Sequence, residues 1–246
     1  MKTFILLPLL LLTTATLAAD LPAIPDSPIA KKKELLFSDD FNRAELGKDW
    51  KEVVPTFTME NNTLKGTQTR VNAPAADGKP AVVGHQAVIG NDIPTKDSII
   101  EIKFRLGTAT AVSVEFDDRK YTGSHYGHIC FARVTPKTIS LADQKDGSMR
   151  NDIYEMSKDP DKKDERNKLL KGKSANFPIQ IDADKWHTLV LETVDDTMRA
   201  TIDDKPVAFL KSPGIAHPTK SKIELGTGGK DGFFDDIRIY NAEPAK

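Results

Sequence analysis

The chain has 246 residues, a formal net charge of −1 and a single cysteine. Its length suits one sandwich-type domain better than two small ones. The near-zero net charge excludes a protein that binds nucleic acid through its overall field. A lone thiol excludes a disulfide within the chain, so the fold must depend on a hydrophobic core.

The first 19 residues have the three parts of a cleavable secretory signal. Lys2 is the positive part, an apolar run extends from Phe4 to Leu12, and small residues precede a junction after Ala18 or Ala19. The apolar run is roughly half the length needed to cross a hydrocarbon core, which argues against an uncleaved anchor. We therefore expect a periplasmic or secreted protein with no membrane attachment after cleavage.

The next segment, residues 20–33, contains three prolines and ends in Lys31-Lys32-Lys33. Its prolines and its lack of periodicity predict an extended linker. The basic run is typical of a solvated linker end rather than of a binding patch. The folded domain is accordingly expected to span residues 34–246.

Short segments with alternating apolar and polar residues follow in chain order. Residues 57–60 and 63–66 flank Asn61-Asn62, and asparagine tolerates the positive φ of a two-residue hairpin turn. In residues 100–106 and 111–117 apolar side chains alternate with polar ones, which predicts strands with one buried face. Further strands are predicted at 36–41, 127–134, 138–142, 187–193, 198–202, 222–225 and 234–240.

The densely charged segment 159–173 departs from this pattern and predicts one short surface helix, with Leu169 and Leu170 anchoring its end. Cys130 lies between two apolar residues and is interpreted as a small buried hydrophobe rather than as a nucleophile. Many short antiparallel strands with little helix predict an all-β sandwich or jelly roll.

Three segments resemble the concanavalin A-like, or laminin-G-like, jelly rolls. Residues 186–192 with the turn Asp203-Asp204 are similar to the W-H-x-L strand and the D-G turn of these domains, although Asp204 stands where glycine is usual. Residues 39–50 are similar to their D-D-F … W start, and residues 234–240 to their F-D-D-I-R-V-Y end. The resemblance brackets the whole domain and implies a concanavalin A-like jelly-roll sandwich of antiparallel sheets.

Within that superfamily, the segments 123–129 and 214–221 resemble the 3-keto-disaccharide hydrolase family of exported bacterial proteins, which includes 3-keto-glycoside lyases and hydratases. The resemblance implies a protein that acts on, or associates with, carbohydrate. The same fold also carries lectins and adhesion modules. A non-catalytic carbohydrate-binding or protein-interaction module is therefore the alternative.

Glycoside hydrolysis commonly needs two carboxylates beside the scissile bond. Glu115 and Asp117 match the first half of the E-x-D-x-E strand of glycoside hydrolase family sixteen, and on a strand they share one face roughly 6.5–7 Å apart. Arg119 and Lys120 occupy the possible positions of the second glutamate. Standard hydrolysis is thus disfavoured, and two acids on the solvent side of a sheet are the structural alternative.

Elimination from a 3-keto sugar needs a base and a group that stabilises the enolate. His128 is the candidate base, and Arg133 or Lys120 is the candidate electrostatic partner. His125 precedes His128 by three residues, so a continuous strand would point the two to opposite faces. A bend at Gly127 would bring them together, for catalysis or for binding a metal.

Sugar binding without catalysis would use aromatic faces. Tyr121, Tyr126 and Trp50 are the candidates for it, with Lys120 as a further substrate contact. Trp186 begins an alternating strand and is expected in the core.

Concanavalin A-like domains often hold a structural Ca²⁺ where the first and last strands meet. Asp39, Asp235 and Asp236 fall at those two ends and supply the oxygen ligands that Ca²⁺ prefers. The alternative is that these aspartates satisfy local turns and bulges.

Overall fold

The computed structural model describes residues 21–75 and 81–245, so the predicted signal peptide lies outside it. The described residues form fifteen strands, two short α-helices and three 3₁₀ turns. The strands are β1 Ala30–Asp39, β2 Lys51–Val54, β3 Phe57–Glu60, β4 Thr63–Thr67, β5 Ala87–Asn91, β6 Ser98–Arg105, β7 Ala109–Asp117, β8 His128–Val134, β9 Thr138–Asp143, β10 Ser174–Pro178, β11 His187–Val194, β12 Thr197–Ile202, β13 Lys205–Lys211, β14 Lys222–Gly229 and β15 Asp231–Pro244. The helices are α1 Asn151–Met156 and α2 Lys163–Leu169, and the 3₁₀ turns are His125–Gly127, Pro160–Lys162 and Pro213–Ala216.

The strands form two antiparallel sheets. The first has the order β13-β12-β11-β6-β15-β4-β3, with β1 also paired to β15, and the second has the order β10-β9-β8-β7-β14-β5-β2. Alternate side chains of each sheet, such as Ile102 and Phe104 on β6 and Val112 and Val114 on β7, enter one continuous hydrophobic core. The predicted all-β jelly-roll sandwich is confirmed.

Two hairpin turns use residues with positive φ other than glycine. Asn61 and Asn62 join β3 to β4 with φ values of 51° and 57°, which confirms that predicted turn. Asp203 and Asp204 join β12 to β13 with φ values of 49° and 63°. Aspartate tolerates this region because its short side chain can hydrogen-bond locally.

The charged segment predicted as one helix contains α2, none of whose residues is buried. The sequence did not predict α1, which precedes it and is anchored by the fully buried Ile153. Leu169 is exposed and anchors nothing. No helix in residues 21–75 and 81–245 is long and apolar enough to span a bilayer.

The segment predicted as a linker is largely part of the fold. β1 already begins at Ala30, and residues 24–30, which we call the N-terminal strap, lie against the first sheet. Arg199 donates through Nε to the carbonyl oxygen of Pro25 (2.9 Å) and through Nη2 to that of Asp26 (3.1 Å). The prolines predict an extended linker, but a segment of this composition can also bind to a surface.

Cys130 lies in the core, as predicted, and burial raises the pKa of its thiol to about 12. Because the thiolate is the reactive form, we expect no alkylation of the native protein by iodoacetamide at pH 8. Unfolding in guanidinium should allow complete alkylation, measured as one mass increment. Rapid alkylation of the native protein would contradict the burial of this thiol.

Candidate functional site

The outer face of the second sheet, which points away from the core, carries five charged or titratable side chains on three neighbouring strands. The antiparallel register places Glu224 opposite Glu115 and Lys222 opposite Asp117. On the other side of β7, His128 lies opposite Asp117. We call these five residues the charged row. The glutamates, Asp117 and Lys222 are all buried, which charged groups rarely are unless they are paired.

His128 and Asp117 form a hydrogen-bonded pair at the centre of the charged row. The distance from Nδ1 of His128 to Oδ1 of Asp117 is 2.9 Å, and the imidazole side chain is 17% exposed. Burial lowers the pKa of His128, but the hydrogen bond and charge of Asp117, together with the charge of Glu115, outweigh it and raise the pKa overall. A proton on Nδ1 that is donated to Asp117 leaves Nε2 free to accept a proton.

Lys222 brings a buried positive charge to the same row. Its Nζ donates to Glu224 Oε1. Burial lowers the pKa of Lys222, and the charges of Asp117 and Glu115 act in the opposite direction. The aliphatic part of the side chain crosses Gly90 of β5, where a Cβ atom would collide with it. Glycine at position 90 is therefore a requirement for this arrangement.

Glu115 is positioned by two neutral donors. Its Oε1 accepts from Gln86 Nε2 at 2.5 Å and from Ser113 Oγ at 3.1 Å. The Gln86 side chain lies over Gly226 of β14, and a Cβ atom there would be 2.7 Å from Gln86 Nε2. The structure thus places Glu115 and Asp117 on one face, as the sequence predicts, and shows that both carboxylates already have partners.

The predicted bend before β8 is present. Gly127 has a φ of 79° and a Cβ atom there would overlap the carbonyl group of Asp118, so the chain turns sharply at this glycine. The rings of His125 and His128 consequently lie 6.5 Å apart. His125 also stacks on Tyr154 at 3.7 Å. Burial, followed by the charge of His128, lowers the pKa of His125.

The two cationic partners predicted for His128, Arg133 and Lys120, lie elsewhere. Arg133 shares the outer face but pairs with Ser113, so it is displaced along β8 from the pair that includes His128. Lys120 is exposed on the loop after β7. Tyr121 packs its ring on His217 at a centroid distance of 4.9 Å. The cation that accompanies His128 is therefore Lys222.

Tyr126 is the one predicted sugar-stacking residue that projects into solvent, since 83% of it is exposed. It lies at a φ of 52° within the turn before β8, with its ring 4.4 Å from that of His125. Trp50, also predicted to stack on sugar, is instead buried and donates from Nε1 to Asp39 at 2.8 Å. Its predicted role was wrong because the first loop returns it to the core.

Two of the three aspartates predicted to bind Ca²⁺, Asp39 and Asp236, already have cationic partners. Asp39 Oδ1 and Oδ2 accept from Arg43 at 2.6 and 2.7 Å and also from Trp50 and the backbone of Phe41. Asp236 pairs with Lys103 at 2.5 Å. A polar recess of about 380 Å³ lies beside these aspartates. Within the described ranges, no group of three or more His, Cys, Asp or Glu side chains is arranged to hold a metal ion.

Because the Asp39 carboxylate is saturated by protein donors, we expect a chelator such as EDTA to leave the melting temperature unchanged. The measurement is a thermal melt with EDTA, with added Ca²⁺ and with neither. A rise in melting temperature that depends on Ca²⁺ would restore the predicted site.

Sequence reasoning missed three members of the site: Lys222, Glu224 and Gln86. The first two belong to the alternating segment 222–226, so a predicted strand already placed them on one face. What the sequence lacks is the register that sets this strand beside β7. Gln86 comes from a loop with no periodic pattern, and no local signal identifies it.

Chemically, the charged row combines a histidine whose pKa is raised, a lysine and three carboxylates on three neighbouring strands. A buried His–Asp pair is suited to proton transfer. A lysine with one hydrogen-bond partner retains donors for a developing oxyanion.

No protein-family model matches this chain, and no curated protein matches it. Among solved structures, the laminarinase from Rhodothermus marinus superposes with a TM-score of 0.57 at 14% identity, covering 88% of this chain and 100% of that one. The laminarinase from Flavobacterium sp. UMI-01 gives 0.55 at 14% identity, with coverages of 85% and 100%. The carbohydrate-binding module CBM66 from Bacillus subtilis gives 0.50 at 13% identity, with coverages of 80% and 98%.

These likenesses, at such low identity, establish the fold. The chain is a jelly-roll sandwich of two antiparallel sheets. Which activity this sandwich carries must be argued from its own residues.

Proposed function

We propose that this chain is an exported glycan-active protein that cleaves oxidised, 3-keto glycosides by proton abstraction and elimination. The observation that carries the proposal is the hydrogen-bonded, half-buried pair of His128 and Asp117 beside Lys222 on the outer face of the second sheet. The solved structures with this fold include laminarinases and a carbohydrate-binding module, which supports a carbohydrate substrate. The sequence resemblance to the 3-keto-disaccharide hydrolase family supports the keto sugar.

The reaction follows from the acidity of a carbon next to a carbonyl group. His128 Nε2 accepts the proton from C2 of the sugar, and the electrons of the C–H bond form an enolate at the 3-keto oxygen. Lys222 stabilises that oxygen with a remaining N–H. Collapse of the enolate re-forms the carbonyl, creates a C1=C2 double bond and expels the glycosidic oxygen, which takes up a proton. Addition of water across the double bond completes a net hydrolysis.

Direct hydrolysis by two carboxylates fits the row less well. Glu224 accepts from Lys222, and Glu115 accepts from Gln86 and Ser113, so both act as hydrogen-bond acceptors. A general acid must instead present a proton to the leaving oxygen. The positions after Asp117 carry Arg119 rather than a second glutamate, and Arg119 pairs with Asp92 at the surface.

The test compares p-nitrophenyl 3-keto-β-glucoside with its unoxidised parent. We expect nitrophenol release only from the keto form, and a loss of about 10²–10⁴-fold in kcat for His128→Asn. His187→Asn is the matched control, since His187 forms a similar pair with Asp203 (2.6 Å) on the first sheet. Turnover of neither substrate, or equal loss in both variants, would overturn the proposal.

A second function has its own support in Tyr126. An exposed tyrosine next to the stacked rings of His125 and Tyr154 is suited to the apolar face of a sugar. The alternative is therefore a carbohydrate-binding module without catalysis. Binding of glycans that persists in His128→Asn but is lost in Tyr126→Ala, with no turnover by the native chain, would favour it.

Export is part of the proposal, because it rests on residues 1–19 of the sequence alone. The expected mature N-terminus is residue 19 or 20. Mass spectrometry of the protein from periplasmic and culture fractions measures it. Full-length protein retained in the cytoplasm would refute the signal peptide.

A further inference from the structure

The outer face of the first sheet carries an arginine between two aromatic rings. Arg105 ends β6, and its guanidinium carbon lies 4.0 Å from the ring centroid of Phe233 and 5.5 Å from that of Trp186. The register of β15 places Phe233 directly beside Arg105. Trp186 immediately precedes β11, the strand on the other side of β6. We call these three residues the Arg105 platform.

The guanidinium of Arg105 has its donors available. Arg43, Arg119, Arg150 and Arg199 each pair with a carboxylate. Across residues 21–75 and 81–245, Arg105 forms neither an ion pair nor a side-chain hydrogen bond. Its guanidinium lies over the two aromatic rings. The rings contact the flat face of the guanidinium and leave its N–H groups available as donors.

Asp231 and Asp235, the two acidic residues that flank Phe233 on β15, form no ion pair with Arg105. Asp231, two residues before Phe233 on β15, accepts from Thr67 Oγ1 at 2.5 Å and lies 4.0 Å from Lys65 Nζ. Among the described residues, no carboxylate forms an ion pair with the positive charge of the platform.

Trp186 supplies the apolar part of the platform. The alternating pattern of β11 predicted it in the core, but the structure leaves it 39% exposed on the outer face, which corrects that prediction. Phe233, below the guanidinium, belongs to neither hydrophobic cluster of the sandwich. The exposed indole of Trp186 can stack on a ligand, and the guanidinium of Arg105 beside it can bind a negative charge through its N–H groups.

We propose that the Arg105 platform binds a uronic-acid residue of an acidic glycan. The apolar face of the sugar ring packs on Trp186, and its carboxylate accepts two parallel N–H bonds from Arg105. The platform lies on the opposite sheet from the charged row, so this site is separate from the proposed active site. The chain would hold an acidic polymer with one face and act on a sugar with the other.

The experiment is calorimetric titration of the mature protein with trigalacturonic acid, neutral cellotriose and a sulfated trisaccharide. We expect binding of trigalacturonic acid that weakens with salt, and little binding of cellotriose. Arg105→Gln and Arg105→Lys should each weaken the binding about tenfold or more, because both lose the bidentate fork. Arg105→Lys keeps the charge and covers Phe233, so a loss there does not arise from unfolding.

Arg238→Gln is the matched control, since Arg238 lies exposed on the same sheet away from Trp186 and Phe233, and it should bind as the native chain does. Fluorescence gives an independent measurement. Trp50 is buried, so ligand should protect Trp186 from acrylamide quenching, and Trp186→Phe should abolish that protection.

No binding of trigalacturonic acid, equal binding by Arg105→Gln, or binding of the sulfated sugar alone would overturn the assignment. Turnover of keto glycosides should be unchanged in Arg105→Gln, so the two proposals can fail separately.

Discussion

Replacing Arg199 by methionine is expected to lower the free energy of unfolding by about 3–5 kcal/mol, the usual cost of breaking a buried ion pair from one side. The side chains of Arg199 and Glu192 are only 4% and 3% exposed, and they pair at 2.6 Å. The substitution would leave Glu192 buried without its cation. It would also leave the carbonyl oxygens of Pro25 and Asp26 without their donor.

The measurement is urea denaturation followed by circular dichroism. Arg238→Met, an exposed arginine on the same sheet, is the control and should change the stability by less than about 0.5 kcal/mol. The double variant Arg199→Met with Glu192→Leu should recover much of the loss, because no unpaired charge remains. A single variant as stable as the native chain would show that the N-terminal strap does not depend on this pair.

Replacing Asp117 by asparagine is expected to lower kcat on the keto glycoside by about 10²–10⁴-fold, because the amide no longer fixes the tautomer of His128. It should also move the pH profile. The base must be neutral, so the rate rises as pH passes upward through the pKa of His128. Asp117 raises that pKa, and its removal should shift the rising limb to lower pH.

The shift of the pH–rate profile distinguishes the proposed role of Asp117 from a purely structural role. A structural role would lower the rate without moving the rising part of the profile. Asp118→Asn is the matched control. Asp118 directly follows Asp117 in the chain and forms a similar pair with a different histidine, His217, at 3.0 Å. It should leave the limb in place. An unchanged limb in Asp117→Asn would remove His128 as the base.

The fold could be predicted because its determinants are local. Alternation in β6 and β7, the Asn61-Asn62 turn and the segments at both ends all point to one sandwich, and the structure agrees. The site could be predicted only in part. Glu115, Asp117 and His128 lie on one stretch of chain that folds back on itself through Gly127.

Lys222 lies more than a hundred residues away from Asp117 in sequence and enters only through the pairing of β14 with β7. Single-sequence periodicity specifies which face a side chain takes, but not which strand is its neighbour. Trp186 shows the same limit from the other side. Its position before an alternating strand suggested burial, whereas the structure leaves it partly exposed beside Arg105.

The pairing of β1 with β15 has a mechanical consequence. Ala30, at the start of β1, pairs with Pro244, at the end of β15, and Ala245 donates to the carbonyl oxygen of Ile29 at 2.9 Å. The two ends of the sandwich are therefore adjacent. A pulling force applied between them would peel β1 away one hydrogen bond at a time instead of shearing all its bonds together. The N-terminal strap would be the first element to detach under load, and the charged row, on the other sheet, among the last to feel it.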